Sequence, residues 1–269
     1  MSAAVIVTTY NRPDALAATL DGYLAQDRAD FEILVADDGS TGDTRHVIEG
    51  YARRAPFPLK HIWQEDRGFR PAAARNRAIA ATGADYIIFS DGDCVPPPAF
   101  VGRHRALAEP GRFLAANRVL LSERFTREVL EHRLPIHAWG AARWLVAWLK
   151  RDVNRVLPLL DLPDGDFRRR SPQQWEGVKT CNLSAWRADL LRVNGLDESY
   201  SGWGLEDSDL VIRLLHAGVR HKSARFAAPV FHLWHKEWDR GRYAENQRLL
   251  NEILGSQRVE ALIGVSQYL

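Results

Sequence analysis

The 269-residue sequence predicts an α/β fold: a mostly parallel central sheet with helices on both faces. Two observations lead there. Apolar runs of strand length alternate with helix-patterned segments through the first hundred or so residues. Polar residues also collect directly after three of those runs, where parallel sheets bind ligands. The first run is "AVIVTT" (4–9), and Pro13 suits the first turn of the helix after it. Leu16, Leu20, Tyr23 and Leu24 share one face of that helix. "FEILVAD" is the second strand, followed by a helix through Val47, Ile48 and Tyr51 and a short strand "LKHIW". The alanine-rich segment 71–82 is a helix, and "DYIIFSD" the next strand. Thr8–Asn11, Asp37–Ser40 and Asp91–Asp93 therefore fall on one rim.

Composition narrows the function. The chain is 46% hydrophobic and 26% charged with a formal net charge of +2, which gives no global argument for nucleic acid, although a pI near 8.6 permits anionic partners. Only Cys94 and Cys181 are present, so disulfides do not organise the fold and a reducing compartment, the cytoplasm, is expected. No basic leader precedes "AAVIVTT" and no apolar stretch is long enough to span a bilayer, so a soluble or at most peripheral protein is expected.

The rim lacks two familiar phosphate-binding devices. "TTYNRP" stands where a dinucleotide-binding sheet carries its glycine turn, and the glycine-lysine phosphate loop is also missing. A nucleotide bound on this rim needs another way to neutralise its diphosphate. The carboxylates of Asp91 and Asp93 offer hard oxygen ligands suited to magnesium or manganese.

"VIVTTYNRPDAL", "FEILVADDGSTGDT" and "GFRPAAARNRAIAATGADYIIFSDGDCVP" together resemble the nucleotide-sugar half of family 2 glycosyltransferases, which have the GT-A fold. "CNLSAWRADLLRVNGLDESYSGWGLEDSDLVIRLLHAGV" resembles the acceptor half of galactosyltransferase-type and chondroitin-polymerase-type members. The two cover roughly residues 4–120 and 178–236. The resemblance implies that Asp91-Gly92-Asp93 is the D-x-D signature, with Asp93 ligating the metal and Asp91 beside ribose and metal. It implies that Thr8, Tyr10 and Asp38 hold the base and that Arg75 lies near the nucleotide-sugar. Trp203 then shapes the sugar and acceptor pocket, Asp207 is the general base, and Glu206 holds an acceptor or donor hydroxyl. "FHLWHKE" supplies His232 and His235 at the spacing of the distal metal ligands, unranked between them.

Those roles suit the chemistry. Glycosyl transfer needs a stabilised leaving group and a partly deprotonated nucleophile. A Mn2+ or Mg2+ ion on the diphosphate serves the first and a carboxylate base the second. One base and one metal fit a single displacement that inverts the anomeric centre. The expected reaction moves a hexose or N-acetylhexosamine from a UDP-sugar to a glycan or glycolipid hydroxyl, in surface polysaccharide or lipopolysaccharide synthesis. A sugar-nucleotide nucleotidyltransferase and a noncatalytic glycan-binding module are the alternatives. Plainer structural roles also stand: aspartates at strand ends cap helices, Glu206 and Asp207 complement a helix dipole, and Arg75, Trp203 and the histidines serve packing.

One catalytic domain over 1–269 is expected, with a nucleotide-sugar half (1–120), a helical insert (121–177), an acceptor half (178–238) and a C-terminal helix (239–269). The insert is read as packed on the sheet. Trp139, Trp144 and Trp148, among Arg143, Lys150, Arg151 and Arg155, also suit an interfacial helix over 139–155 touching a membrane or an acceptor. "DLPDGDFRRRSPQQ" is read as an exposed loop with little local order.

Overall fold

A computed structural model describes residues 1–236 and 241–269. The first half runs β1 (Ala3–Thr9), α1 (Pro13–Leu24), β2 (Glu32–Asp37), α2 (Gly42–Ala52), β3 (Leu59–Trp63), α3 (Pro71–Ala80) and β4 (Tyr86–Asp91). Next come β5 (Cys94–Val95), α4 (Phe100–Leu107), β6 (Arg112–Ala115), β7 (Arg118–Leu120), α5 (Glu123–His132) and α6 (Ala141–Leu149). The chain continues through β8 (Asn182–Trp186), α7 (Arg187–Arg192), α8 (Glu206–His216), β9 (Arg220–Ser223), β10 (Val230–His232) and α9 (Tyr243–Leu254).

Seven strands form the main sheet in the order β3-β2-β1-β4-β8-β6-β9. The first four are parallel, as the alternation of strands and helices predicts. β8 runs antiparallel to both β4 and β6, and β9 pairs parallel with β6. Side chains of β1 alternate between faces: Ala4 and Ile6 pack with α3 and α8, while Val5 and Val7 pack with α1, α2 and α4. Both faces are covered, so a strand needs apolar residues at every position, and that is why "AVIVTT" shows no polar alternation.

A second sheet of three strands, β5-β10-β7, lies outside the sequence reading. β10 pairs antiparallel with β5, setting His232 opposite Cys94, and parallel with β7. The helical insert packs on this small sheet, not on the main one. Phe125, Val129, Ile136 and Trp144 close over Val95, Val119 and Phe231. Trp144 is buried, stacked on Phe231 with ring centroids 4.1 Å apart and 15° between planes.

Three expectations about the less patterned segments are corrected. The helix expected over 139–155 covers only Ala141–Leu149, because Arg151 turns the chain with φ +60°. The C-terminal helix expected over 239–269 ends at Leu254; beyond Gly255 the chain returns to α3, where Val265 enters the main core. The first two residues of that range lie outside the described residues. The 161–174 segment is pinned. Arg168 is 1% exposed and donates to the carbonyls of Leu162, Pro163, Ser223 and Arg225. Arginine in a polar run looks like a solvated face, and sequence does not show that carbonyls elsewhere will surround it.

The insert yields a stability prediction. Trp144→Ala should cost about 3–5 kcal/mol, the range for emptying a buried aromatic site. Trp148, 44% exposed, should lose no more than about 0.5 kcal/mol on the same change. Urea midpoints at unchanged slope measure both, and equal losses would refute the packing described.

Candidate active site

Parallel pairing sets the rim. Thr8 lies opposite Asp91 across β1 and β4, and Thr9 opposite Asp37 across β1 and β2. Asp37 serves the turn: it accepts from the Ser40 backbone N–H at 2.8 Å and contacts His61 Nε2 at 2.8 Å. Asp38 is 3% exposed and accepts from Gln64 Nε2 and the Arg70 backbone N–H, both at 2.6 Å. Burial raises its pKa against those bonds. Tyr10 donates its hydroxyl to Asp66 at 2.9 Å. Sequence reasoning passed over Gln64, Asp66 and Arg70, which fix Tyr10 and Asp38, because they sit in a loop with no pattern of its own.

Arg75 reaches the rim from α3. Its Nε donates to Thr8 Oγ1 at 2.9 Å, one terminal nitrogen to Asp91 Oδ1 at 3.0 Å, and the other to Glu206 Oε1 at 3.3 Å. Four of the residues singled out in the sequence thus form one network. Gly92 allows the next step. A Cβ there would stand 2.9 Å from Thr9 Oγ1 and 3.2 Å from the Thr8 carbonyl oxygen, so any side chain at the middle position of Asp-Gly-Asp would push β1 or Thr9 away.

Asp93 faces away from Asp91, toward β10. His232 Nε2 lies 3.7 Å from Asp93 Oδ1, and His235 Nε2 lies 3.5 Å from Asp93 Oδ2. The two rings are 5.3 Å apart, and the His232, Asp93 and Cys94 ligand atoms lie within 4.8 Å of one another. The His–Asp separations are too long for hydrogen bonds. Two donors each about 2.1 Å from one ion stand about 3 Å apart at a right angle and about 4.2 Å apart across it, so the spacings fit a shared cation. His235 Nδ1 contacts the Lys236 carbonyl oxygen at 3.0 Å; as donor there it leaves Nε2 a free lone pair. Burial lowers the His232 pKa, favouring the neutral ring that ligation requires. Among the described residues Asp91 is not grouped with Asp93 and His232 but with Cys94 and Cys181. Both thiols are buried and unbridged.

The start of α8 joins the same network through Glu206. Gly202 (φ +70°), Gly204 (φ +99°) and Leu205 (φ +78°) form a left-handed lead-in, and Leu205 holds that conformation without a glycine's freedom. Glu206 and Asp207 follow, both buried. Asp207 Oδ1 accepts from Thr180 Oγ1 at 2.6 Å, a partner just ahead of the stretch that carried the family resemblance. Burial, and then the charge of Asp207, push Glu206 up to about 7 against the pull of Arg75. Trp203 stacks along Tyr243 of α9 at 6.3 Å. A cleft of about 420 Å³ between α1, α2 and α5 contains none of the site residues singled out in the sequence.

A model of glycosyl transferase family 2 matches residues 4–154, and a model described as the N-terminal domain of galactosyltransferase matches residues 168–236. The chain belongs to glycosyl transferase family 2. It is 33% identical over 234 residues to validoxylamine A glucosyltransferase of Streptomyces hygroscopicus subsp. jinggangensis, covering 80% of this chain and 51% of that protein. Against the chondroitin synthase of Escherichia coli it is 25% identical over 244 residues, covering 83% and 33%. The chain thus spans about half or less of these family members. Among solved structures, the mannosyltransferase PcManGT from Pyrobaculum calidifontis in complex with GDP-Man and Mn2+ matches with a TM-score of 0.61 at 18% identity, covering 93% of this chain and 60% of that one. S. aureus TarS 1–349 in complex with UDP-GlcNAc gives 0.63 at 16% identity, covering 100% and 69%. The fold is GT-A, as the family resemblance implied.

The raised Glu206 carboxyl makes stability pH-dependent. From its ordinary value of 4.5 to about 7 the unfolded chain loses this proton before the folded one, so stability falls as pH rises through that window. Glu206→Gln removes the loss. Relative to the parent it should gain roughly 3 kcal/mol between the two ends of the window, at about 1.4 kcal/mol per pH unit. Urea unfolding of both proteins across the window measures this; a constant difference would refute it.

Proposed function

We propose that the chain is a metal-dependent, inverting glycosyltransferase moving a hexose or N-acetylhexosamine from a UDP-sugar to a hydroxyl of a glycan or glycolipid. The observation that carries this reading is the arrangement on one rim: Arg75 joins Asp91 to Glu206, Asp93 faces His232 and His235, and Asp207, next to Glu206, is held by Thr180. Support also comes from neighbours of the same fold that bind UDP-GlcNAc, or GDP-Man with Mn2+.

In this reading Asp93, His232 and His235, with Asp91 beside them, hold a Mn2+ or Mg2+ ion, which supplies Lewis-acid stabilisation of the departing diphosphate. Thr8, Tyr10 and Asp38 border the base, Arg75 keeps Asp91 in place, and Trp203 lines the sugar pocket. Asp207 accepts the proton of the acceptor hydroxyl as that oxygen bonds to the anomeric carbon. The bond from that carbon to the UDP oxygen breaks in the same displacement, its electron pair leaving with UDP. Glu206, bound to Arg75, orients an acceptor or donor hydroxyl. We take 1–269 as one catalytic domain.

The finer setting is surface-polysaccharide or lipopolysaccharide synthesis in the cytoplasm, supported by the chondroitin synthase among its relatives and by two unbridged thiols. No helix of the described residues is long and apolar enough to cross a membrane. A peripheral contact through α6 is supported by exposed Leu145, Val146, Trp148 and Leu149 beside Arg143, Lys150 and Arg151, which complement an anionic lipid surface.

Calorimetry with a panel of UDP-sugars tests the donor side. UDP should bind more tightly with manganese than with chelator, and Asp93→Ala should abolish the difference; equal affinity in both buffers would remove the metal. His232→Ala and His235→Ala should each raise the manganese needed for half-maximal binding.

The acceptor side is tested by Asp207→Asn. Transfer should fall at least about 10²-fold with UDP binding kept. Loss of UDP binding would instead place Asp207 in the donor pocket. Release of pyrophosphate would establish a nucleotidyltransferase, and absence of turnover with every donor would favour a binding module.

A further inference from the structure

A second pocket, of about 110 Å³, is lined by Arg118, Arg155, Lys179 and Arg225 together with Cys181 and Asn182. Its four cations come from four separate places in the fold. Arg118 opens β7, Arg155 follows α6, Lys179 precedes β8, and Arg225 follows β9. Like charges gathered in one recess repel unless an anion joins them.

Among the described residues none of the four has a carboxylate within 4 Å, whereas the nearby Arg112, Arg169 and Lys222 are all paired with Glu109 or Asp164. The fold therefore gives the neighbouring cluster direct ion pairs and gives these four none, although Asp91 and Asp207 act on Arg118 from a distance.

The position says which substrate would bring the anion. Lys179 and Cys181 flank Thr180, whose hydroxyl donates to Asp207, so the pocket adjoins the acceptor side of the rim. Arg118 lies within the electrostatic reach of the rim as well: it is felt by Asp91 and Asp207, and also by His232, so the pocket borders the donor side too and the test must separate the two. The donor's diphosphate has its own place at Asp93, His232 and His235. At about 110 Å³ the pocket is also far below the roughly 300 Å³ at which pockets for whole small molecules begin, and suits a substituent.

We propose that this pocket binds a carboxylate or phosphate group carried by the acceptor, so that the enzyme selects an anionic glycan or glycolipid. The proposal rests on the glycosyltransferase reading above and adds the chemical class of the acceptor.

Glucuronate and glucose 6-phosphate are the charged probes, and glucose the neutral control. Each is titrated by calorimetry at constant ionic strength into the chain, both alone and loaded with UDP and manganese. At least one charged probe should bind in both states while glucose does not, and the better of the two identifies the carboxylate or the phosphate. Arg118→Gln and Lys179→Gln should each weaken that binding about tenfold, the loss expected for one charge-assisted hydrogen bond, with UDP affinity unchanged. Arg118→Lys should keep most of it.

Four results would overturn the proposal: equal binding of glucose, no binding of either anion, full affinity in the Gln variants, or displacement of the anion by UDP. Displacement would assign the cations to the donor diphosphate. Failure of the parent chain to bind UDP would count against the glycosyltransferase reading alone, because the anion titration is also read without nucleotide.

Discussion

Arg75 is a buried cation that satisfies groups from three parts of the chain, and the rim is organised around it. Burial works against its charge, and the carboxylates of Asp91, Asp207 and Glu206 more than offset that, raising its pKa. The dependence is mutual. Without the guanidinium, Asp91 and Glu206 would face each other and Asp207 with no positive charge between them, in surroundings that make unpaired charges costly. Thr8 on β1, Asp91 on β4 and Glu206 on α8 are therefore held in register by one side chain. That holds the ends of β1 and β4 and the start of α8 at a fixed separation.

The same network explains how two carboxylates can stand one residue apart. Asp91 is turned to Arg75, and Asp93 to the histidines that follow β10. Gly92 makes the division possible, since its backbone N–H donates to the Thr8 carbonyl at 2.7 Å and its missing side chain lets β1 approach. Thr19 of α1 donates to the Gly92 carbonyl at 3.1 Å, so the turn between the aspartates is held from two sides. The metal site proposed at Asp93 would draw on side chains already placed by the backbone, because β10 is fixed to β5 by the register that pairs His232 with Cys94.

Much of the first half was legible in the sequence because its information is local. β1, β2 and β4 are continuous apolar runs, their helices begin at Pro13 and Pro71, and the ligand-bearing residues follow directly after the strands. The second half was legible mainly by resemblance. β5, β7 and β10 are two or three residues long, too short for any periodicity, and exist because distant segments pair. The same reason hid the gathering of Arg118, Arg155, Lys179 and Arg225: Arg155 was read with the insert's helix, and the other three stand out nowhere in their own stretches. Tryptophan was ambiguous in the insert, since Trp144 fills the core while Trp148, one turn later, faces outward.

The acidic start of α8 depends on a balance of costs. Leu205 in the left-handed region costs on the order of 1–3 kcal/mol, and two buried carboxylates follow it at once. The helix dipole favours acids at that end and offsets part of the strain. What holds the turn lies further along: Asp209 and Arg213 pair at 2.6 Å with both side chains fully buried, and Arg213 donates to the carbonyls of Val193 and Gly195. Asn246 of α9 donates to the carbonyls of Ser201 and Gly204 from the other side. The lead-in is thus clamped between a buried ion pair and the last helix, and Asp207 sits on a rigid support. The proposed role of Asp207, meeting a hydroxyl within hydrogen-bonding distance, needs such support, and α9, distant in sequence, is part of what provides it.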